Sequence, residues 1–374
     1  MRSTALCIWL LATSVGPAQA QWILQNSGTT ADLRGIDSAG AGVAWASGTN
    51  GTVLRTEDGG YLWQRCTIPP GAGHLDFRGV QAFDANTAII MSSGKGDLSR
   101  LYKTTDGCQT WKLIFANPDP DGFWDALHHA SDGDLYVLGD PVQGVFALFV
   151  SQDSGTTWHA ARDSGREAVP GDGSFAASNS ELASDGPCLL FGTGGSPAAH
   201  VYLSGTKCSS PPAHPHASAT SSCTVEWSKA GVPVGSGTAS SGVFSIAVRP
   251  FTSRQGVFTA IVVAVGGSYD KPDDASRTAA FSTNAGKLWT AAQTLPHGYR
   301  SSVAYDPALK AWIAVGPNGT DISTDDGRNW HAVHPQPALH QPAGSSRDWN
   351  AVSLPFVVGP RGRIGLLDPQ ALTP

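Results

Sequence analysis

The sequence predicts an all-β protein assembled as a ring of repeated four-stranded sheets, and three observations predict it. An eight-residue pattern, Ser/Thr-x-Asp-x-Gly-x-x-Trp, returns along the chain. Glycine (44 residues) and proline (25) are abundant, and charged residues amount to 14%, against about 25% in ordinary soluble domains. That composition favours short strands joined by tight turns over long amphipathic helices. The aspartates of successive copies, Asp58, Asp106 and Asp153, are separated by the length of one four-stranded unit. A hydrophobic share of 41% suffices for a core running round the ring.

The pattern is intact in Thr56 to Trp63, Ser151 to Trp158 and Ser323 to Trp330, the last around Asp325. Two copies differ at one position: Cys108 replaces glycine in Thr104 to Trp111, and Asn284 replaces aspartate in Ser282 to Trp289. A sixth begins at Ser204-Gly205-Thr206, is interrupted, and resumes at Trp227. The spacing suits a hairpin staple. The carboxylate accepts backbone N–H bonds within a tight turn, glycine supplies positive φ, and tryptophan buries its ring between neighbouring sheets. These residues resemble the Asp-box, or BNR, repeat, which lies between the third and fourth strands of a propeller blade on the outer rim. Asp58, Asp106, Asp153, Asn284 and Asp325 are therefore read as structural.

The six copies give six blades, two of them with insertions. A seventh is expected from Trp349-Asn-Ala-Val-Ser-Leu, Phe356-Val-Val-Gly and Arg363-Ile-Gly-Leu-Leu, completed by Trp22-Ile-Leu-Gln from the other end of the chain. Closing the ring with both ends removes the open sheet edges. The expected fold is thus a seven-bladed β-propeller over residues 21–374, with six or eight blades as the alternatives.

Residues 1–20 read as a secretory signal: Arg2, the apolar run Ala5 to Ala12, then Ala18-Gln19-Ala20 before the expected cleavage. The mature chain is expected to be secreted or periplasmic, without a transmembrane segment. In an oxidising compartment the five remaining cysteines allow at most two bridges. Cys208 with Cys223, closing the loop Ser209 to Ser222, is the favoured pair; Cys66 with Cys108 is the second choice. The net charge of −6 offers no general attraction to nucleic acid. A monomer is expected.

Each blade should open with a short motif at the channel: Leu33-Arg34-Gly-Ile, Phe77-Arg78-Gly-Val, Phe123-Trp124-Asp-Ala, Gly173-Ser174-Phe-Ala, Gly242-Val243-Phe-Ser, Tyr299-Arg300-Ser-Ser and Asp348-Trp349-Asn-Ala. Superposing these motifs places Arg34, Arg78 and Arg300 at equivalent positions around the channel mouth. The Gly-rich turns of the same face add Arg361 and Asn318, with Asp140 and Asp270 as counter-charges and Trp124 and Trp349 nearby. Guanidinium forks suit carboxylate or phosphate. The competing reading pairs these arginines internally. His128-His129 and His214-Pro-His216 lack the companion spacing of a metal site, Asn50 and Asn318 are read as turn residues, and no nucleotide or haem motif is present. No metal or cofactor is therefore expected.

The blade front halves, above all Leu33-Arg-Gly-Ile through Gly48-Thr-Asn-Gly-Thr-Val-Leu-Arg-Thr-Glu-Asp-Gly-Gly, resemble the photosystem II stability and assembly factor family of seven-bladed Asp-box propellers and their bacterial relatives. Tyr299-Arg300-Ser-Ser-Val-Ala-Tyr, Val315-Gly-Pro-Asn-Gly and Val358-Gly-Pro-Arg-Gly-Arg-Ile carry the same likeness. The resemblance implies an arginine-rich face that binds a protein subunit during assembly, with Arg34, Arg78 and Arg300 in that role. The insertions in blades 4 and 5, the interrupted Asp box and the extra cysteines depart from the pattern. The reading is a non-catalytic binding propeller for an acidic protein segment or small anion. The alternatives are a sialidase-like glycoside hydrolase using Asp140, Glu181 or Tyr299, or an oxidoreductase on the same face.

Overall fold

The structure, a computed structural model, describes residues 22–186, 188–208, 223–252, 258–333, 342 and 344–368. These form seven four-stranded antiparallel sheets in a ring, the blades of a β-propeller. Blade 1 spans Leu33–Arg65, blade 2 Phe77–Ala116, blade 3 Trp124–Ala160, blade 4 Leu182–Val232, blade 5 Ser241–Ala291 and blade 6 Ser302–Ala332. In blade 7 the strands Ala351–Ser353, Phe356–Val358 and Ile364–Leu367 are joined on the outside by Trp22–Gln25, with Trp22 opposite Leu367. The N-terminal strand thus closes the ring. Within the described residues no helix is long and apolar enough to cross a membrane.

The core lies between blades rather than inside one. Second strands such as Ala88–Ser92 and Ala311–Gly316 are buried at every residue, because a neighbouring blade covers each face, and they accordingly read as near-continuous apolar runs. The outermost strands Gln64–Arg65, His159–Ala160 and Thr290–Ala291 are two residues long and exposed, which limits edge-to-edge pairing.

All five readable Asp boxes fall between third and fourth strands. Leu62, Thr110, Thr157, Leu288 and Asn329 each donate a backbone N–H to the side-chain oxygen of Asp58, Asp106, Asp153, Asn284 and Asp325, at 2.8–3.0 Å. The tryptophans reach back to the preceding blade: Trp63 meets Phe356 at 5.6 Å and Trp111 meets Trp45 at 6.3 Å.

The disulfide within the described residues is the second choice, Cys66–Cys108. Blade 1's outer strand runs beside the Asp box of blade 2, where Thr67 donates its hydroxyl to the Cys108 carbonyl at 2.8 Å. Proximity across blades, invisible in the linear spacing, brings this pair together. Cys208 and Cys223 are opposite each other in the backbone register of blade 4's outer hairpin, and their side chains lie outside the described residues, as do residues 1–20, His214 and His216. Cys188 is a free thiol, raised above its ordinary pKa by burial.

Blade 4 opens differently from the sequence expectation. Gly173 is bridged to Gly194 at the ring's edge, but the first strand begins only at Leu182. The intervening residues cross the channel and plug it. Asn179 donates its amide to the Val80 carbonyl of blade 2 (3.3 Å) and accepts the Leu127 N–H of blade 3 (2.7 Å). The Ser178 hydroxyl reaches the Ser301 carbonyl at 2.8 Å, and Ser180 meets Ser245 and Ser302 of blades 5 and 6 at 2.6 and 3.1 Å.

Candidate functional site

Which side chains face the channel follows from backbone register at the blade openings. A Cβ on Gly48, Gly139, Gly266, Gly316 or Gly359 would strike the carbonyl oxygen of Asp32, Phe123, Gly242, Tyr299 or Asp348 respectively. Those five opening residues are therefore equivalent. The next position, held by Leu33, Trp124, Val243, Arg300 and Trp349, is buried throughout. The one after it is held by Arg34, Asp125, Phe244, Ser301 and Asn350. Blade 2 conforms, since Ser93 N–H bonds to Asp76 as Thr49 N–H does to Asp32, so Arg78 matches Arg34.

This register corrects the superposition made on sequence. Arg300 is one position away from Arg34 and does not face the mouth. It is fully buried, with Nε 2.7 Å from Asp321 and Nη1 2.6 Å from Asn318, and Asp321 also meets His297 at 2.9 Å. Its place among Leu33, Trp124 and Trp349 explains this: the position points into the wedge between blades, where a charge needs an internal partner. Asn318 is committed to that network. Trp124 packs on Phe115 and Phe149 in the core. Asp270 is exposed and accepts the Ser268 hydroxyl, so it balances no arginine of the mouth. Arg361 is exposed on blade 7's turn, its N–H bound to Asp32, outside the pocket lining.

A pocket of about 390 Å³ remains above the plug, lined by Arg34, Arg78, Phe175, Phe244, Tyr269, Tyr299, Ser301, Trp349 and Asn350 among others. Arg78 is held: Nε bonds Asp76 at 2.7 Å, and Nη1 bonds the Ala176 carbonyl of the plug at 3.2 Å. Arg34 is different. Among the described residues no acceptor reaches it, and its Nε is buried without a partner. The rings make a continuous wall, with Phe175 stacked on Phe244 at 3.8 Å and Tyr299 and Tyr269 edge-on to Phe244 at 4.8 and 6.1 Å. Burial, then the nearby Glu181, push the Tyr299 phenol above its ordinary range.

Three carboxyls lie near the plug's neck rather than on the pocket wall. Asp140 accepts the Ser174 N–H at 2.9 Å and Glu181 accepts the Phe175 N–H. Asp125 and Glu181 are almost wholly buried, and one oxygen of each, Oδ2 and Oε1, lacks a hydrogen-bond partner among the described residues. Burial raises both pKa values well above ordinary, Asp125 next through the charge of Asp140 and Glu181 next through that of Asp125; burial also raises Asp140. Asp125 escaped the sequence reading through the same one-residue offset that misplaced Arg300.

At the far side of the plug, a cavity of about 310 Å³ is lined by Asp37, Gln81, His128, Asn179, Ser184 and Ser353 among others. His128 meets the Ser184 hydroxyl at 2.9 Å and is pushed down to about 4 by burial, which keeps it neutral. Among the described residues no three His, Cys, Asp or Glu side chains form a metal cluster.

No family model matches the chain, and no curated protein sequence matches it. Solved structures do. YCF48 bound to D1 peptide aligns at 18% identity with a TM-score of 0.55, covering 94% of this chain and 98% of its own. YCF48 from Cyanidioschyzon merolae aligns at 18% and 0.55, covering 94% and 100%. A Niastella koreensis GH74 enzyme aligns at 14% and 0.36, covering 80% and 56%. At such identity the two YCF48 structures speak for architecture alone, and the fold they share with this chain is the seven-bladed β-propeller.

Proposed function

We propose that the protein is a non-catalytic binding propeller that docks an acidic segment of another protein at the channel mouth, acting after export. The observation that carries this reading is Arg34: its half-buried guanidinium lines the pocket with no acceptor among the described residues, so an entering carboxylate would supply one. Arg78, fixed by Asp76, adds a second positive charge to the same pocket. Since YCF48 has been solved with a D1 peptide, a polypeptide is the ligand class favoured for the shared fold.

The test is calorimetric titration of the protein with a blocked peptide rich in glutamate, at low and high salt. Binding should weaken with salt. Arg34→Ala should lower affinity roughly tenfold or more, the loss of one charge-assisted hydrogen bond. Salt-insensitive binding, or binding unchanged in Arg34→Ala, would sink the reading. Turnover of a sialoside, abolished by Glu181→Gln, would replace it with glycoside hydrolysis.

A further inference from the structure

The positive mouth adjoins a group of carboxyls that hold the start of the plug. Asp140 accepts the Ser174 N–H and Glu181 the Phe175 N–H, and Phe175 itself lines the mouth. Asp125 joins them from the first strand of blade 3. These acids are within electrostatic reach of the mouth. Asp125 feels Asp140 and Arg78, Glu181 feels Asp125 and Asp140, and Tyr299 on the wall feels Glu181, Arg34 and Tyr269. The charged and titratable groups facing the carboxyls thus come from blades 1, 2, 5 and 6, with Asp76 behind Arg78, while blade 7 gives the wall the neutral Trp349 and Asn350. Among the described residues no ion pair reaches Asp125, Asp140 or Glu181, since Arg78 is held by Asp76 and Arg34 meets no acceptor. Three carboxyls crowded together without a cation of their own do not all ionise together. The buried pair, each with one oxygen that meets no donor among the described residues, holds protons most tightly.

We infer that Asp125 and Glu181 are a proton-controlled counter-charge for the mouth: with their protons they leave the field of Arg34 and Arg78 open to an acidic segment, and without them they cancel that field and weaken binding. This is regulation of the site in the binding reading above, and it rests on that reading. The sign follows from linkage. A carboxylate arriving at Arg34 disfavours further negative charge nearby, so binding takes up protons, and affinity falls as pH rises through the range in which the buried pair ionises.

The experiment titrates the hexapeptide Gly-Gly-Glu-Glu-Gly-Gly, blocked at both ends, calorimetrically into the protein at low salt from about pH 6 to about pH 9, a range in which the peptide's own carboxylates stay ionised. Affinity should fall about tenfold across that range. Repeating the titration in buffers of different ionisation enthalpy should show protons taken up on binding where affinity is falling, a readout that needs no variant. Glu181→Gln keeps an acceptor for the Phe175 N–H but cannot ionise, so it should retain most of its affinity at high pH, and adding Asp125→Asn should flatten the profile. Asp37→Asn, on the far side of the plug, should leave the wild-type fall in place. Binding that is lost in Arg34→Ala yet shows neither a fall with pH nor proton uptake overturns the counter-charge and leaves the acidic-segment reading standing. A fall that persists in the folded Asp125→Asn, Glu181→Gln double variant also overturns the counter-charge. Absence of binding at every pH overturns both.

Discussion

Two arginines that look alike in the sequence have opposite physical roles. Arg300 neutralises Asp321 inside the wall, so Arg300→Ala leaves a buried carboxylate without its cation and should cost about 3–5 kcal/mol of stability, measured by denaturant unfolding. Arg34 holds no partner among the described residues, so Arg34→Ala should leave stability unchanged or raise it while removing the anion site. Equal destabilisation by the two substitutions would contradict the register. The sequence shows why they were confused. Leu33-Arg34-Gly35 and Tyr299-Arg300-Ser301 match by residue type, whereas the structure aligns them by which opening carbonyl meets the glycine of the second strand, and that contact leaves no trace in a single chain.

At the scale of the element, the Asp box was legible because its whole logic fits within eight residues: hydroxyl, carboxylate, turn and ring. Hydrogen bonds within the turn hold Asp106 and Asp153 down to about 2, Asp106 chiefly through the Thr110 hydroxyl and Asp153 chiefly through the Thr157 N–H. Since the folded values lie below the ordinary value of about 4, these hairpins gain their support above that pH and lose it as pH falls toward 2. Blade 5 carries Asn284 in the same bond to Leu288, which does not titrate. Hydrogen exchange in acid should therefore loosen the Thr157 amide while sparing Leu288, and Asp153→Asn should remove the difference. Removing the Cys66–Cys108 link, which ties blade 1 to the hairpin of blade 2, should cost about 2–4 kcal/mol and show as a lowered melting temperature. The sequence ranked that pairing second, because linear spacing favours the nearest partner and only the ring brings these two together.

For the whole molecule the pH response has a second, opposite component. Burial raises Asp37 to about 6 and lifts Asp125 and Glu181 as well. A carboxyl raised on folding binds its proton more tightly in the native state, so its contribution to stability falls as pH rises from about 4 through the raised value. The melting temperature should thus increase when pH drops from 7 to 5, then decline below about 4 as the Asp boxes protonate. Asp37→Asn should flatten the first limb; an unchanged limb would count against the burial of that carboxyl. The blade count was legible from repeat spacing and end complementarity. The plug was not: a loop across a channel looks like any Ser/Asn-rich linker until pairing shows that blade 4's first strand starts at Leu182.

The join between Trp22–Gln25 and Ile364–Leu367 also sets a clock. Six blades are meanders of strands contiguous in sequence, whereas the seventh waits for two distant segments to find each other. The entropy of that closure grows only slowly with chain length, but pairing so distant in sequence is slow. Until it happens, Trp22 and its neighbours Ile23 and Leu24 are an apolar stretch without a partner strand. Once the ring shuts, Trp22 is buried with its indole N–H on Thr320 of blade 6, so the closing strand is also a tie between blades 6 and 7.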